Sequence, residues 1–215
     1  MEAAALFSGG KDSIYAVYLA EKQGYKVDNL ICLLPSLRWP SPHAANVECL
    51  KLLADSMKKH LTIIDYDKSG DSLVRELKRL RIDALIAGDI AIEQHVTHLT
   101  KICDMAGVCL LEPLFGKNTL VLLHEMLNLG FKAMIVGVEP KVLDEKWLGF
   151  ILSAETAQLF LNQNKTIDPL GENGEYHTIV TECPLYSKPF KPAISQRLSG
   201  ENLRYAIISL TSNSS

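Results

Sequence analysis

The 215-residue sequence has no Cys-x-x-Cys pair, no large excess of either charge, and no uncharged apolar run near the roughly 18 residues of a membrane span. Its five cysteines, Cys32, Cys49, Cys103, Cys109 and Cys183, are odd in number. That argues against a disulfide framework or a zinc knuckle and points to a reducing, cytoplasmic setting. The first residues, Met1-Glu2-Ala3-Ala4-Ala5-Leu6-Phe7, carry an acid where a secretory leader carries basic residues, so a soluble protein with no membrane partner is expected. A net charge of −3 and a pI near 6.1 supply no global attraction to phosphate backbones, so a nucleic-acid partner is not expected either. What the chain does have is 47% hydrophobic and 22% charged residues, enough to bury a normal core.

Short apolar runs alternate with longer amphipathic stretches from the start. Ala3–Phe7 reads as a strand, Ser13–Gln23 as a helix stopped at Gly24, and Val27–Leu34 as a strand. Helices over Ala44–Lys59, Ser72–Arg81, His95–Ala106 and Leu120–Leu129 then alternate with strands at Leu61–Tyr66, Ala84–Gly88, Val108–Leu111 and Ala133–Val138. This rhythm predicts an α/β domain over residues 1–140, with five or six parallel strands in a doubly wound sheet covered on both faces. After Glu139-Pro140 the rhythm changes. Residues 141–190 hold one helix, Ala154–Asn162, and a polar, glycine-bearing stretch from Asp168 to Thr178, as expected of a functional loop on a smaller C-terminal substrate subdomain. Residues 191–215 read as a tail with a last strand at Arg204–Leu210.

The chemistry begins at Ser8-Gly9-Gly10-Lys11-Asp12-Ser13, between the first strand and the first helix, where parallel sheets place their ligands. Gly9 and Gly10 let the backbone approach an anion closely. The first-turn N–H groups and the helix dipole favour negative charge, and Lys11 adds a full positive one. A Walker A loop is excluded because it needs glycine at position 5 and Ser or Thr at 12, where the chain has Ala5 and Asp12. The loop instead resembles the PP-loop, Ser-Gly-Gly-x-Asp-Ser, of the N-type ATP pyrophosphatases, which cleave ATP between its α and β phosphates and adenylate a substrate.

A second signature narrows the class. Gly171-Glu172-Asn173-Gly174-Glu175-Tyr176-His177-Thr178 is followed by Cys183-Pro184-Leu185-Tyr186, and accompanied by Leu143-Asp144-Glu145-Lys146-Trp147-Leu148-Gly149 and His43-Ala44-Ala45-Asn46. Together with the PP-loop, from Ala5 to about Phe190, these resemble the diphthine–ammonia ligase (diphthamide synthetase) family. The resemblance implies a HUP-type sheet like that of the adenine nucleotide alpha hydrolases. It also implies amidation of a diphthine carboxylate on elongation factor 2, with ATP and ammonium consumed and AMP and pyrophosphate released. In that chemistry Lys11 and the amides of the loop Ser8–Ser13 would stabilise the charge on departing pyrophosphate, with Mg²⁺ placed by Asp12. Glu175 would bind ammonium and accept a proton, Glu172 would share that work or hold the loop, and His177 would contact substrate or orient the loop. Gly88 would face the nucleotide. His43, Asn46, Asp144, Trp147 and Tyr176 would lie on the substrate side, although His43 and Asn46 also suit an ordinary helix start, and Trp147 packing. A homodimer is compatible with this reading.

Two departures concern the substrate. After Gly88 the family pattern resembles Ala-[Ile/Leu]-x-Ser-x-Tyr-Gln-x-x-Arg, whereas this chain runs Asp89-Ile90-Ala91-Ile92-Glu93-Gln94-His95 and has His98 in place of the arginine; Phe150 replaces a second arginine. Histidine cannot reproduce bidentate anion recognition. His95 and His98 have helical spacing but no third ligand spaced to join them, and Lys78–Arg81 reads as a solvated helix end. Two alternatives stay open: a paralogue adenylating another substrate such as a tRNA base, and a non-catalytic ATP- or AMP-binding module.

Overall fold

A computed structural model describes residues 1–35, 41–67 and 69–212. The described chain separates into two compact units. One comprises residues 1–8, 12–35 and 58–116; the other takes 9–11, 41–57 and 117–212. Residues 36–40, which include Trp39 and lie within the proline-bearing run from Pro35 to Pro42, fall outside the described residues.

The first unit holds a five-stranded all-parallel sheet, at the lower end of the expected number. Its strands β1 (Glu2–Leu6), β2 (Lys26–Pro35), β3 (His60–Tyr66), β4 (Ala84–Ile86) and β5 (Cys109–Leu111) lie in the order β3-β2-β1-β4-β5. Central β1 carries three buried alanines, Ala3–Ala5, with Ala5 opposite Leu30 on one side and Ile86 on the other. Small side chains there let covering helices approach closely. Helix α1 (Lys11–Lys22) follows β1. Helices α4 (Asp71–Leu80) and α5 (Glu93–Ala106) follow β3 and β4. On α4 the buried Leu73 and Leu77 recur at helical spacing, against the charged Arg75, Glu76, Lys78 and Arg79. They join Ile31, Leu85, Leu99 and Ile102 in one core, where each buried aliphatic side chain contributes about 1.5–3 kcal/mol. The order reversal beside β1 opens a crevice at the carboxyl ends of β1 and β4, the usual ligand position in such sheets.

The second unit is built on a mixed-length antiparallel sheet. Strand β6 (Lys132–Val138) pairs with β7 (Ile151–Leu152), β8 (Tyr176–Glu182) and β10 (Arg204–Ser212), and β10 forms a long hairpin with β9 (Phe190–Ser199). Sequence reading assigns β6 to the parallel sheet; the structure does not. The cause is that Ala-Met-Ile-Val-Gly-Val is buried on both faces, and such a run looks the same whichever direction its neighbours take. β8 and β9, read as loop and tail, are strands of this sheet. The helix expected over Ala44–Lys59 is two, α2 (Pro42–Ala45) and α3 (Val47–Ser56), broken at Asn46. Helices α6 (Thr119–Asn128) and α7 (Ala157–Gln163) complete the unit, with a core of Ile135, Val138, Leu143, Trp147, Leu148, Leu152, Phe160 and Tyr176.

Candidate functional site

The phosphate-loop motif contributes to both units. In the first, Ser13 Oγ lies 3.4 Å from the Ser8 amide, which donates to it, and accepts from Ser8 Oγ at 3.2 Å, fixing the start of α1. Gly88, just past β4, packs on the same turn. A Cβ there would lie 2.9 Å from the Asp12 carbonyl oxygen and 3.1 Å from the Ser13 nitrogen, so only glycine fits.

In the second unit, Gly9 has φ +73, and a Cβ on it would meet Leu50 Cδ2 at 2.4 Å. The Gly9 carbonyl accepts from the Val180 amide at 2.9 Å, and the Lys11 amide donates to Thr178 Oγ1 at 3.2 Å. Lys11 is only 4% exposed. Its ammonium donates to the Leu170 carbonyl at 2.5 Å and lies 5.0 Å from the centre of the Tyr176 ring. The two signatures of the sequence are therefore neighbours here.

The segment holding Leu170 is organised by two carboxylates. Glu175, 6% exposed, accepts from the Asp168 amide (3.0 Å) and Asn173 Nδ2 (3.0 Å) at one oxygen, and from the Asn173 amide (2.9 Å) at the other. Burial raises its affinity for protons, but the Asp168 and Asn173 hydrogen bonds together outweigh burial and hold the carboxyl below its ordinary range. Asp168 accepts from the Leu170 amide (2.8 Å), the Glu172 amide (3.4 Å) and Thr119 Oγ1 (2.7 Å). Tyr176 Oη donates to the Pro169 carbonyl, and its ring lies where a Cβ on Gly171 would be, at φ +74. Glu172 is half-exposed. Sequence reading did not single out Asp168, Thr178 or Thr119, although Asp168-Pro169 is an Asx-turn signal.

His177 faces His43 edge-to-face, with ring centroids 5.5 Å apart. Burial, then the Lys11 charge, lowers His177 to about 4, which leaves it neutral at physiological pH. Pro42 sits beside His177 because β6 has glycine at 137, where a Cβ would be 2.7 Å from Pro42 and 3.2 Å from His177.

Other expected substrate residues have structural tasks. Asn46 is buried, donates to the carbonyls of Pro42 (2.7 Å) and Ala206 (2.9 Å), and accepts from the Ile208 amide (2.8 Å). Asp144 is exposed and caps the 3₁₀ turn Glu145–Trp147 by accepting from the Lys146 amide. Trp147 is buried edge-on to Phe150 (4.7 Å) and Phe160 (4.9 Å). In the first unit His98 Nε2 is hydrogen-bonded to Tyr66 Oη, and His95 Nδ1 to Asp89 at 2.9 Å.

Asp89 also donates its amide to Glu112 Oε2 at 3.2 Å, while Glu112 Oε1 is buried without a hydrogen-bond partner among the described residues. Burial, then the Asp89 charge, pushes Glu112 up to about 8. Burial raises the thiols of Cys32, Cys49 and Cys103 to about 11, and Cys183 to about 12, which leaves no thiolate nucleophile among these four.

No group of three or more His, Cys, Asp or Glu residues is gathered as a metal site among the described residues. A lone half-buried carboxylate such as Asp12 suits Mg²⁺, which binds through one or two carboxylates and substrate phosphates rather than in a protein cage. No helix among the described residues is long and apolar enough to cross a membrane.

Two family models match the chain: the diphthamide synthase N-terminal domain over residues 1–110, and the diphthamide synthase C-terminal domain over residues 118–202. Among similar curated proteins, a diphthine–ammonia ligase of Schizosaccharomyces pombe is 28% identical, over 87% of this chain and 35% of its own length. The chain thus spans about a third of that relative. Diphthine–ammonia ligases of Homo sapiens (26% identical) and Danio rerio (28%) are covered over 81% and 85% of their lengths, each by 87% of this chain.

Proposed function

The chain belongs to the diphthamide synthase family, and from that premise we propose that it is an AMP-forming ligase that amidates a carboxylate, diphthine on elongation factor 2, in the cytoplasm. ATP is the co-substrate. The carboxylate attacks the α-phosphorus, pyrophosphate leaves, and ammonia displaces AMP from the acyl adenylate while a base takes the surplus proton. One observation supports this reading above the others: Gly9–Lys11 of the phosphate loop and the 170–180 segment touch at three points, through Gly9 with Val180, Lys11 with Thr178, and Lys11 with Leu170.

Amides of the loop Ser8–Ser13 receive the phosphates, Gly88 keeps the start of α1 close to β4, and Asp12 would hold Mg²⁺, which neutralises charge on leaving pyrophosphate. Glu175 spends three of its roughly four lone-pair positions on the loop, so it acts by shaping it. Glu172 is then the carboxylate for ammonium and its proton, and neutral His177 with His43 lines the acceptor side. Residues 141–190 supply most substrate contacts. A second reading, a paralogue acting on another carboxylate or on a tRNA base, draws support from the two lost arginine positions. His98 is bonded to Tyr66, and Phe150 packs on Trp147 and Phe160.

The test is incubation with unamidated elongation factor 2, ATP, Mg²⁺ and ammonium. Mass spectrometry of the diphthine-bearing peptide and chromatography of the nucleotides follow. Amide with stoichiometric AMP is expected. AMP without amide transfers support to the second reading, and ADP with phosphate ends the pyrophosphatase assignment.

A further inference from the structure

Lys11 occupies the position at which a phosphate-loop lysine would be expected to reach toward the nucleotide, yet its side chain does something else. It is almost entirely buried, and its stem shares the lining of a small cavity with Leu123, Met126, Leu127 and Phe131 of the second unit. Its ammonium is held by the Leu170 carbonyl and lies over the Tyr176 ring. A buried ammonium is costly unless its hydrogens are matched, and the carbonyl oxygen and the aromatic face are two partners that lower that cost. The carbonyl is itself fixed. Asp168 accepts from the Leu170 amide and is anchored to Thr119 Oγ1, and Pro169 between them is held by Tyr176 Oη.

We infer that Lys11 is a positioning residue, which ties the phosphate loop to the Asp168–Glu175 loop and so sets the geometry of Glu172 and Glu175, rather than a ligand of the nucleotide phosphates. The phosphates are left to the loop amides, hydroxyls and metal. The inference rests on the reading of the loop as an ATP site, and wild-type protein that fails to bind ATP would end that reading before any variant is made.

Lys11→Met keeps the apolar stem and removes the ammonium. Asp168→Asn loosens the same tie from its far end without altering the phosphate loop. Both are compared with wild type by calorimetry with ATP and Mg²⁺, by hydrogen exchange of the amides at 170–175, and by single-turnover amide formation. For both variants ATP affinity should stay within about threefold, loop exchange should rise by more than about tenfold, and amide formation should fall by about 10²-fold or more. General destabilisation would instead lower ATP binding and amide formation together. Loss of ATP affinity in Lys11→Met by more than about tenfold, or unchanged loop exchange in it, overturns the inference. Should Lys11→Met fail to fold, Asp168→Asn decides by the same two readings.

Discussion

At the scale of the residue, two carboxylates of the 168–175 loop differ in what they can afford to do. Glu175 is buried and accepts only from N–H donors, so Glu175→Gln puts an NH₂ group against at least one of them. A cost of about 1–3 kcal/mol in urea unfolding is expected, with ATP affinity retained. Glu172→Gln should leave stability within about 0.5 kcal/mol and abolish amide formation; wild-type turnover by that variant would remove Glu172 from the proton-transfer step. Glu112 carries the opposite shift. Its folded state keeps a proton that the unfolded chain releases, so this group's contribution to stability falls as pH rises from about 4.5 to about 8. Glu112→Gln is therefore expected to match wild type near pH 5 and to exceed it at pH 8 by on the order of 1–3 kcal/mol. Parallel curves at the two pH values would refute the assignment.

At the scale of the element, glycine and asparagine decide where helices begin. Gly88→Ala would push a methyl group into the backbone of Asp12 and Ser13, which cannot yield as a flexible side chain would. A stability loss of about 1–3 kcal/mol and an ATP affinity at least about tenfold weaker should follow, measured by urea titration and calorimetry. Unchanged ATP affinity would dissociate β4 from the phosphate loop. Asn46 shows why one helix was expected where two exist. Its letters suit a helix interior or cap, but its three side-chain bonds include two to β10, about 160 positions along the chain.

At the scale of the molecule, legibility followed the range of the interactions. The five-stranded parallel sheet could be read because its strands follow one another in the chain with a local β-α-β period, and Ser8–Ser13 because glycines, a lysine and a helix start are adjacent in sequence. The antiparallel sheet could not. β6 looks like any buried strand, and β8, β9 and β10 find partners across turns and long connections that leave no period. Within the site, the Gly-Glu-x-Gly-Glu motif was visible, but whether Glu172 or Glu175 holds the loop depended on Asp168 and Asn173, whose roles only geometry supplies. The stretch read as a tail is a structural member. Ending the chain after Leu203 removes β10, two of the three bonding partners of Asn46, and the carbonyl that accepts from Cys49. That variant should lose the cooperative unfolding of the second unit, seen as a reduced urea m-value and a weakened near-ultraviolet circular dichroism signal. A full-sized m-value would show that β10 is dispensable.

The bond between the Gly9 carbonyl and the Val180 amide also sets a schedule. Synthesis at about 5–20 residues per second separates the two groups by about ten to thirty seconds on the ribosome, and β10 emerges after every other strand of its sheet. Through that interval the nascent chain carries a glycine-rich anion motif without the segment that braces it. The turn at Gly9–Lys11 is thus completed only after Val180 has been made, so the first loop of the chain to be synthesised is among the last to be braced.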